Sequence, residues 1–175
     1  MNPERLRKIR GSQQGGDAVI ARTQGMRADG APLTVLVATR ALVEEGLEVG
    51  LSYALISVSS PGSPLPRLPA DPARQASLSL QFHDTKLSPG NQALGEHIRP
   101  ISTQQAAEIA AFVREHAIVG AFAVHCDHGM SRSPAIAAAI CEVLLGSGKF
   151  FFDRRLPNPR VYDLVLRALR LEGES

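Results

Sequence analysis

Cys126 and Arg132 are the two residues of this chain whose types and spacing most clearly suggest chemistry. They lie six positions apart within AVHCDHGMSRSPAIAAA, the segment from Ala123 to Ala139. A thiolate is a strong nucleophile, and a guanidinium can hold two oxygens of an anion in one planar fork. Such a pair suits a reaction in which sulfur attacks a bound oxyanion such as phosphate.

The residues after Cys126 predict an anion-binding loop. An apolar run precedes this loop and an apolar helical segment follows it. A short loop at a helix N-terminus turns its amides toward one point, where the helix dipole adds positive potential and favours a thiolate. Gly129 supplies backbone freedom in the middle of the turn. The predicted phosphate-binding loop consists of Asp127, His128, Gly129, Met130, Ser131 and Arg132.

The string HCDHGMSRS resembles the HC-x5-R-S signature of the protein tyrosine and dual-specificity phosphatase superfamily. The resemblance spans residues 33 to 171, and the order of elements looks like that of small bacterial and dual-specificity members. It implies a phosphomonoester hydrolase that works through a phosphocysteine at Cys126, with no metal or organic cofactor. The implied substrate is a phosphorylated protein, phosphotyrosine first, or a small phosphomonoester.

The resemblance also implies a general acid, usually an Asp on a separate loop. Asp84, in FHDTK after a predicted strand, is the first choice because small members carry an aromatic residue and an Asp at that place. Asp71 and Asp153 are the alternatives. Asp127 is a poor candidate, since a carboxylate beside an anion site repels phosphate, and we expect its side chain to point away from the loop.

Several neighbours of the loop have predicted supporting roles. His125 is expected to bond the loop backbone and support the thiolate, and His128 to face solvent at the rim. Ser131 and Ser133 offer hydroxyls beside the sulfur, one of which would help water cleave the phosphocysteine. Asn158, in a Pro-Asn pair similar to that of small relatives, is expected to cap the last helix with a structural contact to the loop.

Cys141 is expected in the core. It lies nine positions beyond Arg132 on the predicted helix, or about 13–14 Å along its axis. A disulfide needs Cα atoms within about 7 Å, so a bridge to Cys126 is not expected. His97 and His116 form no metal-ligand spacing with other residues.

Two other classes of protein compete with this interpretation. The unusual Asp127-His128 pair is compatible with a catalytically weak phosphate-recognition module. Rhodanese-like and arsenate-reductase-like enzymes also use a cysteine loop. However, rhodanese-like loops generally lack the Gly-x-Ser-Arg-Ser ending, and the reductase relatives carry their loop near the N-terminus.

The pattern along the chain predicts an α/β fold, a three-layer sandwich around a central, mostly parallel sheet. Residues 1–30 are expected to be a flexible N-terminal extension and residues 31–175 the phosphatase domain. Four strands are predicted, at 33–37, 53–58, 76–82 and 118–124. Helices are predicted at 39–46, 102–116 and 133–145, with a last one opening at Asn158-Pro159. Loops are predicted at 59–75 and 83–100.

Composition excludes several classes. The net charge of +2 and the sequence pI of about 8.8 are too weak to indicate binding to nucleic acid or an anionic membrane. No apolar run approaches the roughly 18–20 residues that cross a bilayer, and the first residues lack the apolar stretch of a secretory signal. Two cysteines do not suggest a disulfide framework. We expect a cytoplasmic protein, with its oligomeric state left open.

Overall fold

The predicted phosphate-binding loop follows the central strand of the sheet. The computed structural model describes residues 20–85 and 97–171. Five strands are paired in the order β1-β2-β5-β3-β4, with β1 antiparallel to β2 and all other pairs parallel. The predicted α/β class with a mostly parallel central sheet is therefore confirmed. The strands are β1 Ile20–Met26, β2 Pro32–Thr39, β3 Tyr53–Ser59, β4 Arg74–Gln81 and β5 Ala121–Cys126.

The two faces of the sheet are covered unequally. The larger core packs three long helices on one face, and the smaller core packs α1 and the segment 47–49 on the other. The third layer of the sandwich is thus one short helix and a loop. The helices are α1 Arg40–Glu45, α2 Thr103–Glu115, α3 Arg132–Leu145, α4 Lys149–Arg154 and α5 Pro159–Leu171.

Strand β5 is buried on both faces, as its continuous apolar sequence predicts. Phe122 and Val124 belong to the larger core with Cys126, whereas Ala121 and Ala123 belong to the smaller core. Because side chains alternate along a strand, Cys126 lies on the face covered by the long helices. The side chain of His125 therefore points to the opposite face.

The helix ends follow the capping residues in the sequence. The Thr39 hydroxyl accepts a hydrogen bond from the amide of Leu42 and caps α1. Ser102 and Gln105 form the predicted capping box of α2. The Ser102-x-x-Gln105 spacing predicts that box, and this prediction is confirmed.

The predicted boundary of the N-terminal extension is wrong. Ile20–Met26 forms strand β1, which pairs along its whole length with β2, from Ile20 opposite Ala38 to Met26 opposite Pro32. An edge strand buries little, and only Ala21 in β1 is buried. Its sequence therefore lacks the apolar alternation that signals a strand. The rest of the predicted extension, residues 1–19, lies outside the described residues.

Three smaller differences separate the predicted elements from those of the structure. Strand β5 begins at Ala121, because the apolar Ile118 lies in a turn and is 99% exposed. Helix α4 was not predicted, since its six residues are too few to show a period. Helical spacing predicts a buried face that includes Leu171, but on α5 the buried residues are Val161, Val165 and Leu169, and Leu171 is exposed. Within the predicted loop at 83–100, residues 86–96 lie outside the described residues.

Candidate active site

Cys126 ends the central strand β5, and α3 begins six residues later at Arg132. The cysteine is only 3% exposed, and its Sγ lies 3.0 Å from the hydroxyl oxygen of Ser133 in the first turn of the helix. The loop between them must turn sharply. Gly129 has φ +69°, and a Cβ there would lie 3.2 Å from the carbonyl oxygen of Ala38. Only glycine meets both conditions at low cost.

The carbonyl groups of the loop are tied to the surrounding protein. The Asp127 carbonyl accepts a hydrogen bond from the amide of Arg40, and the Met130 carbonyl accepts one from the amide of Leu156. The Gly129 carbonyl accepts one from Nε of Arg155 at 3.2 Å. Each of these carbonyls therefore faces away from the centre of the loop.

Two further carbonyls complete this pattern. The Ser131 carbonyl accepts the amides of Ala135 and Asn158, and the Cys126 carbonyl lies 3.3 Å from Nδ1 of His125. In a trans peptide the N–H points opposite to the carbonyl. The following N–H groups consequently face the other way, and within 20–85 and 97–171 nothing accepts a hydrogen bond from the amides of residues 127–131. The loop thus offers a set of backbone N–H groups that are free to bind an anion.

Arg132 is buried at this loop, with 6% of its surface exposed. Its Nη1 donates to the hydroxyl of Ser60 at 3.0 Å and to the carbonyl of Phe82 at 2.9 Å. Its Nη2 donates to Oδ2 of Asp127 at 3.0 Å. The Asp127 carboxylate therefore pairs with the guanidinium of Arg132, a contact that the sequence did not predict.

Asp84 lies against the loop. Its Oδ1 accepts hydrogen bonds from the hydroxyl of Ser131 and from Nδ2 of Asn158, each at 2.8 Å. The two alternative acids are engaged elsewhere. Asp71 accepts the Tyr53 hydroxyl at 2.6 Å, where β3 begins, and Asp153 pairs with Lys149 on α4. Of the predicted acids, only Asp84 and Asp127 contact loop residues in the part of the chain that the structure describes.

Asn158 connects three parts of the site and is 1% exposed. Its Oδ1 accepts the amides of Arg160 and Val161 and so caps α5, as predicted. Its amide group donates to Asp84 and to the carbonyl of Thr85, and its own backbone N–H donates to Ser131. The loop, the segment that carries Asp84 and α5 are therefore held by one side chain.

His125 lies on the other face of β5, fully buried. Its Nε2 is 2.7 Å from the hydroxyl oxygen of Ser57, its register partner on β3. Burial lowers the pKa of this imidazole below 6.5. The ring is therefore neutral near pH 7 and holds the Cys126 carbonyl through Nδ1.

The remaining predicted residues divide between the rim and the core. His128 is exposed, and Met130 is 42% exposed. Cys141 is buried, which raises the pKa of its thiol to about 12. Among the described residues, no group of three His, Cys, Asp or Glu side chains could hold a metal ion. No described helix is long and apolar enough to cross a membrane.

Sequence reasoning missed five residues that hold the site: Arg40, Ser60, Phe82, Arg155 and Leu156. Arg40 acts through its backbone amide. Phe82 and Leu156 act through backbone atoms, which no side-chain pattern reveals. Ser60 lies just after the last residue of β3 and Arg155 just after α4. Burial of Arg155 lowers the pKa of its guanidinium, but nothing in the sequence distinguishes it from Arg154.

Comparison with known proteins gives structural similarity only. No family model matches the chain, and no curated protein matches its sequence. In structure it is similar to human DUSP28, at 20% identity over 79% of this chain and 90% of that one, with a TM-score of 0.46. A single-substitution variant of DUSP28 gives 22% identity, 81% and 93% coverage, and a TM-score of 0.47.

A viral protein is also similar. OH1 from the Orf virus, described as a tyrosine phosphatase with triple substrate specificity, matches at 13% identity over 97% of this chain and 95% of that one, with a TM-score of 0.36.

The buried imidazole makes the stability of the protein depend on pH. The unfolded chain takes up a proton on His125 near pH 6.5, whereas the folded chain takes it up only at lower pH. The stabilisation is therefore complete above pH 6.5 and is lost as the pH falls toward the folded pKa, at up to about 1.4 kcal/mol per pH unit. We predict that His125→Gln flattens the free energy of unfolding between about pH 6.5 and 5, measured by denaturant titration.

The matched control is His128→Gln, which changes an exposed imidazole three residues further along the chain and should keep the wild-type slope. Parallel pH profiles for wild type and His125→Gln would contradict the assignment of a neutral buried ring.

Proposed function

We propose that this chain is a phosphomonoester hydrolase, a protein tyrosine phosphatase of the dual-specificity-like type that works through a phosphocysteine. One observation carries the proposal. The loop carbonyls of residues 126, 127 and 129–131 are bonded outward, which leaves the opposite N–H groups without acceptors among the described residues. Donors fixed in advance stabilise charge that spreads over phosphate oxygens in a transition state.

In the first step the Cys126 thiolate attacks phosphorus. An S–P bond forms while the bond to the leaving oxygen breaks. Asp84, as the protonated acid, gives its proton to that oxygen, so the alcohol or phenol departs neutral. Its two hydrogen bonds, from Ser131 and Asn158, hold the carboxyl beside the loop. Arg132 supports the equatorial oxygens.

In the second step water attacks the phosphocysteine. Asp84, now a carboxylate, accepts a proton from the water, the S–P bond breaks and inorganic phosphate leaves. The electron pair returns to sulfur. The Ser133 hydroxyl, 3.0 Å from Sγ, stabilises the departing thiolate by a hydrogen bond. The sum of both steps is hydrolysis of one phosphomonoester, with no metal or organic cofactor.

The proposed substrate is a phosphoprotein, with phosphotyrosine first. The rim residues His128 and Met130 are exposed, which supports an open site that also accepts phosphoserine, phosphothreonine or a small phosphomonoester. We further propose a cytoplasmic location, since a reducing compartment keeps Cys126 free to react.

We predict that the wild-type protein hydrolyses para-nitrophenyl phosphate and that Cys126→Ser abolishes turnover, because a hydroxyl is a far weaker nucleophile than a thiolate. Cys141→Ala is the matched control: it removes the other thiol, which is buried in the core, and should keep the activity. Phosphate binding without turnover in the wild type would instead identify a recognition module. Turnover that survives Cys126→Ser would rule out the covalent mechanism.

The acid has a separate test. Asp84→Asn keeps the hydrogen-bond acceptor but cannot supply a proton, so we predict a fall in kcat of roughly 100- to 10,000-fold. The loss should be greater for phenyl phosphate than for para-nitrophenyl phosphate, whose leaving group needs less protonation. Asp153→Asn, which changes an exposed carboxylate on α4, is the control and should keep kcat. Equal losses on both substrates would place the acid elsewhere.

A further inference from the structure

The guanidinium of Arg132 has five N–H donors, and the structure accounts for three of them. Both hydrogens of Nη1 are engaged, one by the Ser60 hydroxyl and one by the Phe82 carbonyl. One hydrogen of Nη2 is engaged by Asp127. The donors left over are the hydrogen on Nε and the second hydrogen on Nη2, for which the described part of the chain supplies no acceptor.

These two remaining donors lie on the same edge of the planar group. The Nε–Nη2 edge presents two parallel N–H bonds, the geometry that fits two oxygens of one phosphate. The opposite, terminal edge is closed by protein. Ser60 donates to Oδ2 of Asp127 at 3.4 Å, so the hydroxyl, the carboxylate and the two terminal nitrogens form one ring of hydrogen bonds.

We propose that Asp127 and Ser60 are positioning residues, which fix the rotation of Arg132 so that its Nε–Nη2 edge faces the bound phosphate. This inference rests on the proposed function and deepens it. It also explains a carboxylate inside an anion-binding loop. Asp127 acts on the guanidinium, not on the substrate, and its charge is compensated by an arginine that is 6% exposed.

The serine is itself held in place. The backbone carbonyl of Ser60 accepts a hydrogen bond from Nε2 of Gln81 at 3.5 Å, and the same nitrogen donates to Ser63 at 3.1 Å. Gln81 is the last residue of β4 and lies opposite Ser59 in the sheet. The ring around Arg132 is therefore anchored on two strands, β3 through Ser60 and β5 through Asp127.

Asp127→Asn separates positioning from simple charge. If the carboxylate only repelled substrate, its removal would tighten phosphate binding and raise kcat/KM. If it orients Arg132, the amide holds the guanidinium less well and kcat for para-nitrophenyl phosphate falls by about 10- to 100-fold, while KM changes far less. Inhibition by vanadate, which mimics the transition state, should weaken by the same factor as kcat/KM, whereas inhibition by inorganic phosphate should change little.

Ser60→Ala provides a second variant that keeps every charge. It should lower kcat in the same direction, and the double variant should lose less than the product of the two single losses, because both act on one guanidinium. Thermal melting of each variant shows whether it is folded. Asp29→Asn, in the turn before β2, and Ser79→Ala, exposed on β4, are the controls for charge and hydroxyl loss.

The outcomes are distinct. Wild-type kcat in folded Asp127→Asn and Ser60→Ala, or higher kcat/KM with tighter phosphate binding in Asp127→Asn, overturns the positioning role and leaves the proposed function intact. Absence of turnover in the wild-type protein refutes the proposed function itself.

Discussion

The outward bonding of the loop carbonyls is the constraint on which the rest of the site depends. Each peptide group of this six-residue loop can turn either its carbonyl or its N–H toward the centre, and hydrogen bonds from the surrounding protein fix the orientation. Arg40, Arg155, Leu156 and Asn158 each bond one carbonyl, and His125 lies against another. Because these carbonyls are bonded outward, the N–H groups that follow them face the other way. Our proposal that a phosphate binds there rests on that orientation.

The parallel sheet explains why the residues that bond the loop come from distant parts of the chain. Strands β2, β5 and β3 run parallel and end at the same edge, where Thr39 is the register partner of Cys126 and Ser57 that of His125. Residues that follow each strand therefore converge on the loop: Arg40 from α1, Ser60 after β3 and Asp84 after β4. Asn158 reaches the loop from the start of α5, where its capping hydrogen bonds fix its side chain.

The sequence predicted the central elements well, because their signals are local. The apolar run before Cys126, the glycine in the turn and the apolar helix after Arg132 each report on their own surroundings. Strand β1 could not be found, since an edge strand with a single buried residue carries no alternation. Phe82 and Leu156, which hold Arg132 and the loop, could not be found either. Both contribute backbone atoms that only the fold brings to the site. The pairing of Asp127 with Arg132 could not be predicted either, since the sequence indicated only that a carboxylate there would repel phosphate.

The most direct test of the central claim is whether a phosphate and the Cys126 sulfur occupy one amide-lined loop. Iodoacetate alkylation of the native protein, followed by intact mass and peptide mapping, measures this. The account predicts fast modification of Cys126 near neutral pH, none at the buried Cys141, and protection by inorganic phosphate that is weakened in Arg132→Lys. Slow modification of Cys126, or modification that phosphate does not slow, would contradict it.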